Sequence, residues 1–152
     1  MIIQTRSYPR AAIIGNPSDG YNGKTIAFVF SNFSANVTLF ESPELEIQPA
    51  ELDLNVFKNV SQLVTHINFS GYYGGIRLLK AMIKVFCEYC KSKDLSLKEK
   101  NFTIRYSTDI PQHLGLAGSS AIITAGMKAL MKFYGVKIEL PELANLVLSV
   151  ET

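Results

Sequence analysis

The densest chemistry in this chain lies in Gly115-Leu116-Ala117-Gly118-Ser119-Ser120-Ala121, between a strand-like stretch and a long helical one. Where a helix starts, N–H groups lack partners and the peptide dipoles sum to a partial positive charge. Small residues let an anion approach the backbone. Two serine hydroxyls add donors, or an oxygen ligand for a metal. The combination suits a phosphate cradle. It equally suits a serine-capped helix after a glycine turn. No lysine follows the glycines, so the loop is not a Walker A sequence, and the glycine spacing is wrong for a dinucleotide fingerprint. Cys87 and Cys90 have the spacing of a metal pair. A zinc site needs four ligands, and no second pair exists, so helix packing is the expectation. His113 adjoins the loop and is read as incidental, and His66 as a surface-helix residue.

These groups need a frame. Ala11–Gly15 is a short apolar run ending in a glycine-rich turn. Thr25–Phe30 and Ala35–Phe40 are rich in Val, Phe and Thr and read as strands, with a turn at Ser31-Asn32. Leu45–Ile47 is a further short strand, closed by Pro49. Ser61 is expected to cap a helix running to about Phe69. Ile76, Leu79, Ile83, Phe86 and Cys90 mark one face of an amphipathic helix, with Arg77, Lys80, Lys84, Glu88 and Lys91 on the other. Phe102, Ile104 and Tyr106 alternate with polar residues in a half-buried strand. A turn at Asp109-Ile110-Pro111 leads into the Gly/Ser loop. A long helix then runs to Tyr134, with Gly135 as its stop. Pro141 opens another helix at the position proline favours. Its apolar Leu143, Leu146, Val147 and Val150 still recur when the chain reaches Thr152, which is expected of a fragment.

The whole has 152 residues, which suits one domain. Apolar residues are 47% and charged residues 18%, enough for a core and too few charges for disorder. The net charge of +2 is too small to point to nucleic acid or an anionic membrane. Lys91, Lys93, Lys98 and Lys100 cluster in what reads as a solvated loop. The first residues are too short and polar for an export signal, and no apolar stretch is long enough to span a membrane. Two cysteines make no disulfide framework. The cytoplasm is the expected location.

Ile110-Pro111 followed by Gly115-Leu116-Ala117-Gly118-Ser119-Ser120-Ala121 resembles the phosphate loop of the galactokinase, homoserine kinase, mevalonate kinase and phosphomevalonate kinase (GHMP) superfamily. The order of strand, loop and helix also agrees. The segment from Arg10-Ala11-Ala12-Ile13-Ile14-Gly15-Asn16 through Asp19-Gly20-Tyr21 to Gly23 is similar to the first motif of its sugar kinases. Gly15–Asp19, Thr25-Ile26, Asn32-Phe33, Gly71–Gly75 and Arg77-Leu78-Leu79 look like the glucuronokinase branch, which phosphorylates the anomeric hydroxyl of D-glucuronate.

The resemblance implies an α+β fold, a mixed sheet with packed helices of the ribosomal protein S5 domain 2-like type. It implies that residues 1–152 are a truncated N-terminal ATP-binding domain, without the C-terminal domain and the catalytic aspartate. Such a piece is expected to have no useful turnover alone. It should expose apolar surface and need its C-terminal part, a companion chain or self-association. The implied cofactors are ATP and Mg²⁺, and the implied substrate is a sugar or uronate. Gly115, Leu116, Ala117, Gly118, Ser119 and Ser120 would hold the ATP phosphates. Ser120 and Glu151 would hold the metal, since Mg²⁺ favours hard oxygen ligands. Arg10 would neutralise a phosphoryl oxygen or a substrate carboxylate. Asp19 would accept hydrogen bonds from sugar hydroxyls. Asn16 replaces a glutamate of galactokinase-like members, which removes a charge that would repel an anionic sugar. Pro17 replaces the usual histidine, and no role carries over there. Tyr72, Tyr73 and Arg77 fit a pocket wall or a plain turn before a helix. The alternatives are another GHMP kinase of the galactokinase, arabinokinase or mevalonate kinase type, or a non-catalytic sugar- and ATP-binding homologue.

Overall fold

The computed structural model of the chain describes residues 1–16, 18–53, 56–70 and 74–152, and of residues 19, 20, 52, 69 and 70 the backbone alone. Among the described residues, six strands form two sheets: β1 (Ile2–Ser7), β2 (Arg10–Ile14), β3 (Ile26–Val29), β4 (Ala35–Glu41), β5 (Glu46–Ile47) and β6 (Phe102–Thr108). The α-helices of the described residues are α1 (Val60–Ser70), α2 (Gly75–Ser92), α3 (Gly118–Tyr134) and α4 (Leu140–Glu151). The larger sheet has the order β1-β4-β6-β5. β4 is antiparallel to both β1 and β6, while β5 runs parallel to β6, so the sheet is mixed as expected.

One face of this sheet makes the core. Ile3, Val37, Leu39, Ile104 and Tyr106 point inward at alternate positions and are buried, the period-2 pattern of a half-covered sheet. α2 and α3 cover that face. α2 buries Leu79, Met82, Phe86 and Cys90, and α3 buries Ile122, Ile123, Met127 and Leu130. The two helices pack closely at Gly126, where a side chain would run into the Met82 thioether. α4 adds Leu143 and Val147 to the same core.

β1 was not apparent in the sequence and forms the sheet edge. Its Thr5 hydroxyl donates to the Ala125 carbonyl of α3 at 2.6 Å, a buried tie between edge strand and helix. Ser61 does not cap α1. Asn59 does, its Oδ1 accepting from the Gln62 N–H at 2.8 Å, while the Gln62 side chain reaches back to the Lys58 N–H at 2.6 Å. This reciprocal pair leaves Ser61 inside the first turn. At α2 the cap comes from outside the helix: the buried Asp53 accepts from the Ile76 N–H at 3.4 Å. Gly135 ends α3 in the left-handed conformation, with φ of 66°.

The second sheet is the β2–β3 ribbon. It leaves Ile13, Ile14, Ile26 and Val29 exposed. Apolar surface of this kind was expected of the chain. Among the described residues, no helix is long and apolar enough to cross a membrane.

Candidate phosphate and metal site

The site is built on the end of β6. Beyond Thr108 hydrogen bonds tie the chain down, among them that of the Asp109 N–H to the Ser34 carbonyl at 3.3 Å. The Ser34 N–H donates to Asp109 Oδ1 at 2.7 Å, and the Ile110 N–H to the Thr108 hydroxyl at 3.1 Å. Ile110 is buried and anchors the turn. The loop then winds with a positive φ at every second residue: His113 (61°), Gly115 (69°) and Ala117 (55°). For His113 and Ala117 this is the sparsely populated left-handed region. Backbone that alternates in handedness can turn successive N–H groups to one side, an arrangement that receives anions.

α3 begins directly from this loop, with the Ala121 N–H donating to the Ala117 carbonyl at 3.0 Å. Ala117 occupies the cap position, and among the described residues no side-chain capping bond forms there. The serine-capped reading is therefore not what the fold adopts. Ser120 is used differently: its hydroxyl donates to Glu151 Oε2 at 2.9 Å. α4 folds back along α3 and brings its last helical residue to the mouth of the loop. The loop, Thr108, Ile122 and Glu151 line one cleft of about 280 Å³.

Arg10 enters from the other side. Its backbone N–H donates to the Leu116 carbonyl at 3.0 Å, which fastens the start of β2 to the loop. Its side chain is exposed. Asn16 stands exposed in the turn after β2. That turn depends on Gly15, whose φ of 90° and whose closeness to the Lys24 carbonyl leave no room for a side chain. The Gly15 carbonyl accepts from the Ser18 N–H at 2.6 Å and the Thr25 hydroxyl at 3.0 Å, so the turn is closed on itself. Pro17, Tyr72, Tyr73 and the Asp19 carboxylate lie outside the described residues. Arg77 is exposed in the first turn of α2.

Two sequence expectations thus meet in space, Ser120 with Glu151, and Arg10 joins the loop through its backbone. Thr108, Gln112 and Ile122 also line the cleft and were missed, since none stands out by type. Cys90 packs in the core, and burial and the neighbouring Cys87 push its thiol up, so it stays protonated and is a poor metal ligand. Among the described residues no group of three or more His, Cys, Asp or Glu side chains could hold a metal.

The GHMP kinases N-terminal domain matches residues 77–152, half of the chain. The chain belongs to the GHMP kinase family. It is 44% identical over 152 residues to glucuronokinase 1 of Arabidopsis thaliana, covering 98% of this chain and 42% of that protein. It is also 44% identical to probable glucuronokinase 2 of the same plant, over 99% of the chain and 42% of the relative. The chain therefore spans less than half the length of these curated relatives. A crystal structure of mevalonate kinase superposes with a TM-score of 0.70 at 21% identity, over 98% of this chain and 46% of that one. At that identity the likeness speaks for the fold alone, which is the α+β arrangement expected of this GHMP kinase.

Proposed function

We propose that residues 1–152 are the phosphate- and metal-binding part of an ATP-dependent kinase for a sugar, with D-glucuronate as acceptor at its anomeric hydroxyl. The observation that carries this reading is the meeting of Ser120 and Glu151, at 2.9 Å, at the mouth of a loop with positive φ at His113, Gly115 and Ala117. Phosphoryl transfer asks a protein mainly to position the groups and neutralise charge. The loop from Gly115 to Ser120 and the N-terminus of α3 supply N–H donors for phosphate oxygens. Ser120 and Glu151 offer two hard oxygens, a donor set that suits Mg²⁺, which usually keeps waters and substrate phosphates as its other ligands. Bound there, Mg²⁺ would offset the charge of the phosphates. Arg10, fastened beside the loop, is proposed to face the transferring phosphoryl group or the substrate carboxylate.

The acceptor is inferred from two supports. One is the 44% identity to proteins named glucuronokinases. The other is Asn16, which carries no charge to repel an anionic sugar. Asp19 is proposed to accept hydrogen bonds from the sugar hydroxyls. Turnover is proposed for a protein of the relatives' length, and binding of nucleotide and metal, without useful turnover, for residues 1–152. The cytoplasm, with ATP and a reducing potential for Cys87 and Cys90, is the proposed setting.

The test is ADP release from ATP and Mg²⁺ over a panel of glucuronate, galactose and arabinose, with the relative-length protein beside residues 1–152. Release with glucuronate and little with galactose is the expected result. Release with galactose or arabinose would overturn the substrate. Release with no sugar would overturn the sugar-kinase reading. Turnover by residues 1–152 alone would overturn the division of roles.

A further inference from the structure

α4 presents two stripes to its neighbours. Leu143, Val147 and Glu151 recur every fourth residue and share one face. The first two are buried in the core, and Glu151 extends the stripe to Ser120 of α3. Glu142, Leu146 and Val150 form the other stripe, turned to α2. The step from Glu142 to Glu151 is about two and a half turns, so the two carboxylates leave opposite sides of the helix.

Glu142 is held by two groups of α2. The Tyr89 hydroxyl donates to its Oε2 at 2.9 Å. The Lys93 ammonium lies 2.8 Å from its Oε1 and 5.6 Å from the centre of the Tyr89 ring. Both carboxylate oxygens are engaged from different directions, which constrains position as well as charge. The helix ends favour the pair: Lys93 stands at the C-terminus of α2, and Glu142 in the first turn of α4. The bond to Glu142 raises the Lys93 ammonium above its ordinary value, and the bond to Lys93 lowers the Glu142 carboxyl. The pair is therefore charged at neutral pH. Farther along this interface Leu146 and Val150 pack against the edge of the core. A cleft between α2 and α4 runs past Ala81, Val85, Leu146 and Val150. Apolar contact is non-directional, so it sets the roll and axial position of α4 less sharply than two directed bonds do.

We propose that Tyr89, Lys93 and Glu142 form a latch that fixes the roll and axial position of α4, and so holds Glu151 against Ser120. They are positioning residues for the metal site, an inference that rests on the proposed function of Ser120 and Glu151.

The test uses the purified protein with Mn²⁺ and ADP. Metal binding is followed by electron paramagnetic resonance, and ADP affinity is measured separately in excess chelator. Glu142→Ala is expected to weaken Mn²⁺ binding by roughly three- to tenfold, the range an exposed ion pair and one hydrogen bond can transmit. Metal-free ADP affinity should not change, because the loop itself is untouched. Tyr89→Phe, which removes only the hydroxyl, should give a smaller loss of the same kind. Lys137→Ala, which removes the exposed pair with Glu139, should give none. Equal Mn²⁺ affinity in Glu142→Ala and the unmodified protein would overturn the latch. So would a parallel fall in metal-free ADP affinity, which marks general damage to the fold. Failure of the unmodified protein to bind Mn²⁺ with ADP would overturn the functional reading, and the latch with it.

Discussion

Substituting Gly75 by alanine tests how tightly α2 is seated on the sheet. A Cβ at Gly75 would stand 2.0 Å from both Cζ and Oη of Tyr106. Carbon atoms in contact prefer roughly 3.5–4 Å. The ring or the helix start must therefore move by about 1.5 Å or more. Tyr106 is 4% exposed and its ring is rigid, so it has little room to give. Overpacking of this kind costs about 1–3 kcal/mol, and this case belongs at the upper end. Alanine returns no more than about 1 kcal/mol through its better helix propensity. The net loss is about 2 kcal/mol, a fall in melting temperature of roughly 4–8 °C for a domain of this size. Thermal and urea unfolding followed by circular dichroism measure both quantities. Gly126→Ala is the comparison. Its Cβ would meet the Met82 sulfur at 2.3 Å, but that is the far end of a flexible side chain in the middle of the α2–α3 contact. Overpacking and helix propensity nearly cancel there, and the expected change is within about 1 kcal/mol. A Gly75→Ala protein as stable as the unmodified one, or less damaged than Gly126→Ala, would refute the reasoning.

Thr5→Val keeps the shape of the buried side chain and removes its bond to the Ala125 carbonyl, so β1 should hold less firmly to α3. The expected loss is about 1 kcal/mol, read from the urea midpoint. The ion pair of Glu142 and Lys93 should persist through neutral pH. With the folded carboxyl below its ordinary value, the latch contributes fully above the unfolded pKa and is lost as pH falls through the lower folded one. An NMR titration of the Glu142 side chain checks the direction, and a midpoint at or above the ordinary carboxylate value would contradict it.

Local pattern made much of the fold legible. The apolar stripe of α2, the alternation in β6 and the stop at Gly135 each depend on a few neighbouring residues; the elements and the stop appear where expected, while Met82 joins Leu79, Phe86 and Cys90 inside as Ile76 and Ile83 stay half-buried, and Thr103 is buried beside Phe102 and Ile104. β1 did not announce itself, because only Ile3 and Thr5 face the core in its first five residues, and a threonine signals burial only once Ala125 is in place. The apolar residues of β2 and β3 suggested strands correctly and said nothing of their exposure, which depends on what else lies beside the ribbon. The cap of α1 lies at Asn59 and not at Ser61, a choice between two good capping types that rests on the bonds of Gln62. The Gly/Ser loop was legible as a motif, and its left-handed Ala117 was not, because alanine carries no sign of positive φ. The bonds of Glu142 to Tyr89 and Lys93 join distant parts of the chain and have no local signature.

The central claim is that Ser120 and Glu151 act together on the metal and phosphates of a nucleotide. Calorimetric titration of ATP in Mg²⁺ tests it most directly, with the unmodified protein, Ser120→Ala and Glu151→Gln. Both side chains lie toward solvent, so either substitution should change stability by less than about 0.5 kcal/mol. Loss of a bond to a charged group costs about 1.5–3 kcal/mol, which is roughly tenfold or more in affinity. Saturable binding that weakens by that factor in both variants, with unchanged circular dichroism, is the predicted result. No binding by the unmodified protein, or equal affinity in all three, would contradict the account.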